Sequence, residues 1–162
     1  MNHETKYLLT LFLFFGLGSV IIQSLLVPYI TIHIWRPDFV LIIVLLMAKR
    51  FGSLNGSTIG FVLGILQDSL TSMPIGISAL PKALAGYAAG KARLLMLGDA
   101  MNMVLFMLLI FVHELIIYAF IQFKTDVSYP LLIFSRVFPN TIYGIVMMLI
   151  VHYFLDKYFS TE

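Results

Sequence analysis

The chain has 162 residues, of which 60% are hydrophobic and only 11% charged, and its formal net charge is +2. Soluble domains carry about 45–50% apolar and about 25% charged residues, so this composition excludes an ordinary soluble domain, and the small charge argues against nucleic-acid binding. The absence of cysteine excludes disulfides and thiolate metal sites. The apolar residues form long runs, which indicates a multi-spanning membrane protein.

Six apolar segments, taken in chain order, predict six transmembrane helices. The first, Tyr7–Val27, is longer than a signal-peptide core and lacks its cleavage site, so we expect a retained span that also acts as a signal anchor. The second, Asp38–Met47, is short, and the alternating stretch Tyr29–Trp35 before it predicts an extended segment at the membrane interface. The remaining spans are about Asn55–Leu70, Ile77–Gly90, Met101–Phe123 and Leu131–Leu155.

The spans and loops together predict an all-α integral membrane bundle of six transmembrane helices. Spans 2 to 4 are short and rich in small residues, so we expect them inside the bundle, among the longer spans 1, 5 and 6. All loops are short, so residues 1–162 form one predicted domain without a soluble part.

The distribution of basic residues predicts the orientation of this bundle. Six spans put both termini on one side, with six basic residues there: Lys6, Lys49, Arg50, Lys91, Arg93 and Lys157. The other side has two, Arg36 and Lys124. The positive-inside rule therefore predicts cytoplasmic termini.

Span 3 repeats a glycine every fourth residue, which places the glycines on one helix face. The repeat is Gly52, Gly56, Gly60 and Gly64, followed by Asp68. Span 4 has a matching face of small residues: Ala79, Ala83, Gly86 and Gly90. Because glycine lets another backbone approach closely, we predict that these faces pack on each other or on a partner helix. Packing within the chain and docking of another protein are both open.

Two ionisable side chains lie in spans 3 and 4. Asp68, near the outer end of span 3, either reaches the interface, caps the turn before Pro74-Ile75-Gly76, or forms a buried hydrogen-bond hub or partner contact. Lys82 in span 4 has three possible roles: neutralising Asp68, lining a cavity, or snorkelling to the outer face.

Two further ionisable residues lie in spans 5 and 6. Glu114 is near the middle of span 5, and Arg136 enters span 6 at a similar depth. We predict that they pair, directly or through water; the alternative is that Arg136 snorkels outward and Glu114 is protonated. Pro139-Asn140 predicts a kink in span 6 that frees backbone carbonyls.

No combination of residues in the sequence predicts catalysis. His113 and His152 are single histidines on apolar helices, more typical of core or interface positions than of metal ligands. The chain has no H-E-x-x-H motif, no nucleophile elbow and no phosphate-binding loop. We therefore predict no catalytic residue, cofactor or metal site.

One block of the sequence, about Arg36–Arg93, has glycines, prolines and acids in a fixed order. It contains Pro37-Asp38, Gly56, Gly60-Phe61, Gly64, Asp68, Pro74-Ile75-Gly76 and Ala79-Leu80. This order resembles the MreD family of bacterial rod-shape-determining membrane proteins. The positions that match the family pattern are Pro37, Asp38, Gly60, Gly64, Asp68 and Gly76, and the resemblance gives none of them a catalytic role.

The resemblance implies a location, partners and a fold. Members of the family are multi-pass proteins of the bacterial cytoplasmic membrane without known catalytic activity. They belong to the elongasome, bind the single-span protein MreC, and work beside MreB, RodA and a class B penicillin-binding protein in side-wall peptidoglycan synthesis. Their six-helix fold is similar to the substrate-binding subunits of energy-coupling-factor transporters.

Two functions follow as hypotheses. The first is a membrane scaffold that grips MreC and couples it to wall synthesis. The second is a substrate-binding subunit of a small-solute, vitamin-type transporter, with an outward pocket lined by Asp68, Lys82, Glu114, Arg136 and Asn140. Fold analogy alone is a weak basis for the second. An intramembrane enzyme is the least favoured class.

Overall fold

A computed structural model of the protein describes the chain outside residues 1–5, 8–9, 11, 32–34, 72–73, 93–94, 96–97, 123–127 and 160–162. A π-helical turn, Phe12–Gly16, leads into α1 (Leu17–Leu25) and the single turn α2 (Val27–Ile30). The middle of the chain forms α3 (Phe39–Phe51), α4 (Ser53–Leu70), α5 (Ala79–Ala92) and α6 (Asp99–Gln122). The last segment consists of α7 (Tyr129–Leu132), a π-helical turn (Ile133–Val137) and α8 (Phe138–Phe159). The prediction of an all-α protein is confirmed.

The segment between α1 and α3 differs from the extended stretch that the sequence predicts. Val27–Ile30 is helical, with Pro28 in its first turn, where the missing N–H of proline leaves no helical hydrogen bond unmade. The prediction of an extended Tyr29–Trp35 is therefore wrong for its first residues. Residues 32–34 lie outside the part of the chain that the structure describes.

Helix α3 lies at the centre of the bundle, as expected for a short span. Leu41 and Leu45 on α3 are buried in one cluster with Ala85 on α5 and with Phe106 and Ile110 on α6. Helices α4 and α5 are less enclosed, because each keeps an apolar face exposed. The exposed side chains include Leu54, Phe61 and Leu66 on α4, and Leu80 and Leu84 on α5.

The glycine face of α4 packs directly on α5. A Cβ atom at Gly60 would lie within 3.0 Å of the Lys82 carbonyl oxygen, and one at Gly64 would meet the Ala79 backbone equally closely. Real Cβ atoms do not approach a backbone so closely, so neither position accepts a larger residue without moving a helix. The same holds for Gly56, which lies against the Gly86 carbonyl and against Ala48 of α3. Ala83 follows Lys82 along the same contact, its amide nitrogen 3.1 Å from a Cβ built at Gly60. The small-residue faces of α4 and α5 therefore pack against each other.

Gly52 makes the tight junction between α3 and α4. Its φ is +89°, in the left-handed region that residues with a Cβ rarely adopt. Its N–H donates to the Ala48 carbonyl, which ends α3, and α4 begins at the next residue. One residue thus reverses the chain and sets α4 beside α3.

Pro139 accounts for an irregularity in the last helical segment. Proline has no N–H, so the carbonyl four residues earlier, that of Ser135, loses its helical partner. The indole N–H of Trp35 donates to this carbonyl at 3.1 Å, and the π-helical turn Ile133–Val137 ends directly before Phe138-Pro139. The irregular helix therefore provides an attachment point for the segment that leads into α3.

Among the residues that the structure describes, two helical segments are long and apolar enough to cross a membrane: Ala100–Gln122 and Tyr129–Phe154. Only 22% and 28% of their most apolar windows are buried, whereas the core helix of a soluble protein is mostly buried. Exposed apolar side chains run along both, including Val104 and Leu108 on α6 and Val146 and Leu149 on α8. Such a surface is typical of a protein in lipid.

Candidate functional site

A buried ion pair joins the start of α3 to the middle of the bundle. Asp38 caps α3, accepting a hydrogen bond from the Leu41 N–H at 2.9 Å. Its other carboxylate oxygen accepts from the Lys82 ammonium at 2.5 Å. Lys82 is completely buried, and its ammonium also lies 3.3 Å from Nε2 of His113 on α6. These three side chains tie α3, α5 and α6 together.

None of the three roles predicted for Lys82 is observed. Its side chain does not snorkel outward, it does not contact Asp68, and it is not part of the lining of the large cavity described below. The partner is Asp38, 44 positions earlier in the chain. Asp38 caps α3 and Lys82 lies in the first turn of α5, so the packing of these two helices brings them together although the sequence separates them.

Asp68 is buried and caps the turn that follows it. Its carboxylate accepts hydrogen bonds from the Gly76 N–H at 2.9 Å and from the Ser78 N–H at 3.1–3.2 Å. Gly76 has a φ of +103°, which glycine tolerates and which aims its N–H at the carboxylate. The structure therefore combines two of the predicted alternatives, the turn cap and the buried hydrogen-bond hub.

The predicted direct pair between Glu114 and Arg136 is not formed. Glu114 accepts a hydrogen bond from the Asn140 side chain at 3.0 Å, and its other oxygen lies 3.4 Å from Nδ1 of His113. Asn140 also donates to the Tyr118 hydroxyl at 3.0 Å and accepts from the backbone N–H of Arg36 at 3.1 Å. Asn140 thus takes the place predicted for Arg136.

Gln23 on α1 is a site residue that the sequence reasoning missed. Its amide donates to the Pro37 carbonyl at 3.1 Å and accepts from the Phe39 N–H at 2.9 Å. The two bonds flank Asp38 and fix the segment that carries it. A single buried glutamine within an otherwise apolar run of span 1 was the available signal, because a buried amide requires partners.

A cavity of about 950 Å³ lies beside this polar cluster. It opens between the end of α1, the starts of α3 and α8, and the ends of α4 and α6. Its polar lining includes Gln23, Arg36, Asp38, Gln67, Ser78, Glu114, Tyr118, Arg136 and Asn140. Its apolar lining includes Val27, Leu70, Ile117, Ile121 and Leu132. Of the five residues predicted to line an outward pocket, Glu114, Arg136 and Asn140 do so, whereas Asp68 and Lys82 do not.

The charged and polar side chains of the cluster are paired with one another. Asp38 and Lys82 neutralise each other, and Glu114, Tyr118 and Asn140 share hydrogen bonds. Within the described part of the chain, no three His, Cys, Asp or Glu side chains are grouped so that they could hold a metal ion. His113 is a buried core histidine, and His152 is half-buried far along α8. Together with Gln23 on α1, the side chains of the cluster join five helices: α1, α3, α5, α6 and α8.

The positions of the resembling block build one continuous unit in space. Pro37 is held by Gln23, Asp38 pairs with Lys82, Gly60 and Gly64 contact α5, and Asp68 holds the turn at Gly76. The contact of Pro37 fixes the start of α3 on α1, and the other contacts position α5 relative to α3 or α4. The block therefore describes how the three short helices are assembled.

Comparison with protein-family profiles gives a match over residues 3–161 to the family described as MreD, rod shape-determining protein MreD. Searches among curated proteins and among solved structures gave no match, so the likeness to energy-coupling-factor subunits stays a prediction. The matched range extends well beyond the block Arg36–Arg93 and covers nearly the whole chain. The chain therefore belongs to the MreD family of rod shape-determining membrane proteins.

Proposed function

We propose that this protein is a non-catalytic membrane scaffold of the elongasome, which binds MreC and helps to direct side-wall peptidoglycan synthesis. The observation that carries the proposal is the family match over residues 3–161. The use of the polar residues supports it, because Asp38, Lys82, Glu114 and Asn140 all hold helices in place. A rigid bundle with an apolar surface suits a protein that presents a docking face to another membrane helix.

The MreC helix would pack on the outer surface of this bundle. The glycine faces of α4 and α5 are occupied by each other, which favours packing within the chain over a partner face at these residues. Wider assembly with MreB, RodA and a class B penicillin-binding protein would follow through MreC.

Co-purification tests the scaffold function. Tagged protein at native expression level should retain MreC in mild detergent, whereas an unrelated multi-span protein with the same tag should not. Depletion of the protein should convert rods to spheres. If MreC is not retained and depleted cells stay rod-shaped, the proposal is wrong.

The topology belongs to the proposal: six spans forming one domain, with both termini in the cytoplasm. The sequence has no cysteine, so single cysteines test the topology directly. Ala100 lies at the start of α6 and Ser128 directly precedes α7, and both positions are exposed. In intact cells an impermeant maleimide should label Ser128→Cys and spare Ala100→Cys. The opposite labelling would invert the topology, and equal labelling would refute it.

A second function, binding of a small solute as a transport subunit, is favoured by the cavity of about 950 Å³, a volume in the range of ligand sites. Its test is different. A transport subunit should co-purify with an ATPase pair and release a water-soluble compound on denaturation, whereas a scaffold should yield neither.

A further inference from the structure

The large cavity contains charges that the scaffold function does not use. Arg36 and Arg136 both line it, and neither forms an ion pair with any acidic group that the structure describes. The charge of Asp38, which also lines the cavity, is balanced by Lys82. The cavity therefore has two arginines against the single acid Glu114, which is already hydrogen-bonded to Asn140.

The two arginines lie near the same wall of the cavity. Both guanidinium groups are within electrostatic range of the Tyr118 hydroxyl, which also lines the cavity, and the backbone N–H of Arg36 donates to Asn140 on the same wall. Two guanidinium groups facing one cavity suit a phosphate or carboxylate.

A third polar group points to a ligand with a hydrogen-bond donor. Gln67 lines the cavity and is 8% exposed, and its side-chain oxygen Oε1 has no hydrogen-bond partner. Burying an acceptor without a partner is unfavourable. Rotation of the Gln67 amide toward the cavity would let a hydroxyl or amine of a bound molecule donate to this oxygen.

The remaining wall is apolar. Val27 from α2, Leu70 from α4 and Ile117 and Ile121 from α6 line the cavity, so that a bound molecule would meet hydrocarbon on one side and arginine on the other. A free inorganic anion would use the arginines alone. A molecule that combines an anionic group, a donor and an apolar chain would use all three kinds of surface.

We propose that this cavity binds an anionic amphiphile, whose phosphate or carboxylate lies between Arg36 and Arg136, whose hydroxyl or amine donates to Gln67, and whose apolar chain packs against α2 and α6. The inference is independent of MreC binding. Its ligand class is that of an anionic lipid with a polar, hydroxyl-bearing headgroup.

Native mass spectrometry of the full-length protein in mixed micelles tests the proposal, with phosphatidylglycerol and phosphatidylcholine of equal chain length as probes. The wild type should retain phosphatidylglycerol about tenfold or more in preference, because the choline ammonium is repelled by the two arginines and has no hydrogen-bond donor for Gln67. Arg36→Gln with Arg136→Gln should abolish the preference. Arg50→Gln should keep it, because Arg50 lies at the other end of α3, about 18 Å away.

Two further measurements keep the test decisive. If the double variant does not fold, Gln67→Leu replaces it. This variant should lower retention of phosphatidylglycerol more than retention of phosphatidylmethanol, which lacks the headgroup hydroxyls. Millimolar inorganic phosphate should not raise the melting temperature as far as short-chain phosphatidylglycerol does. A lack of lipid preference in the wild type, an equal loss in Arg50→Gln, or equal stabilisation by phosphate would each overturn the proposal.

Discussion

Removing the carboxylate of Asp38 should be among the most damaging single changes in this protein. Asp38→Asn leaves the ammonium of Lys82, which is completely buried, without an anionic partner. Breaking a buried pair in this way costs about 3–5 kcal/mol. Lys82→Met should cost less, about 1–3 kcal/mol, because Asp38 is 12% exposed and keeps its hydrogen bond from Leu41.

The double variant Asp38→Asn/Lys82→Met separates a paired contact from two independent ones. Replacing a whole buried pair by neutral side chains is often close to neutral. The double variant should therefore be at least about 2 kcal/mol more stable than the sum of the single effects predicts. Reversible unfolding in mixed micelles by added dodecyl sulfate, followed by the fluorescence of Trp35, measures all four proteins.

The matched control is the cycle of Asp68→Asn with Lys82→Met. Asp68 bonds the turn at Gly76 and Ser78 and makes no contact with Lys82, so these effects should add to within about 0.5 kcal/mol. Additive effects in the Asp38 cycle together with coupling in the Asp68 cycle would place the ammonium on Asp68. That outcome would refute the arrangement described above.

Three further predictions concern contacts between helices. Gly60→Leu should destabilise the protein by about 3 kcal/mol or more, because even a Cβ atom meets the α5 backbone, whereas Ser57→Leu should change the folded yield little. Fluorescence-detected size-exclusion chromatography compares the two yields. Similar yields would show that the glycine face is not the contact face. Trp35→Phe should cost about 1 kcal/mol by removing the hydrogen bond to the Ser135 carbonyl. The cost should be smaller in a Pro139→Ala background, where the alanine N–H can donate to the same carbonyl. An equal cost in both backgrounds would contradict the pairing of Trp35 with Ser135. Gln23→Leu should cost about 1–3 kcal/mol by leaving the Pro37 carbonyl and the Phe39 N–H without their partner. The same micelle titration measures it, and a wild-type midpoint would count against these two hydrogen bonds.

The helices and their closest packing could be predicted from the sequence because both follow from local patterns. Apolar runs locate each helix to within a few residues, and a four-residue glycine spacing defines one face whatever the partner is. Gly60 and Gly64 had to pack closely on something, and in this chain the partner is the next helix.

The pairing of the charged side chains could not be predicted in the same way. Depth along a helix axis follows from residue number, and it was used to match Glu114 with Arg136. Depth does not determine the direction in which a side chain points around the helix axis. The π-helical turn Ile133–Val137 changes that direction for Arg136. Asn140, one turn later, faces Glu114 instead.

The partner of Lys82 was missed for a related reason. Asp68 was the nearer acid in the sequence, whereas Asp38 appeared only as a position in the family pattern. The order of the helices in space, with α5 packed against both α3 and α6, decides which acid meets the ammonium. That order comes from tertiary packing and leaves no local trace in the chain.

The separation between Asp38 and Lys82 has a consequence for biogenesis. Asp38 leaves the ribosome 44 residues before its partner, which at about 5–20 residues per second is roughly 2–9 seconds. In the proposed six-span topology, α3 and α4 would enter the membrane during this interval with an unpaired acid at their edge. His113 follows later still, so the polar centre closes in stages as the chain is made.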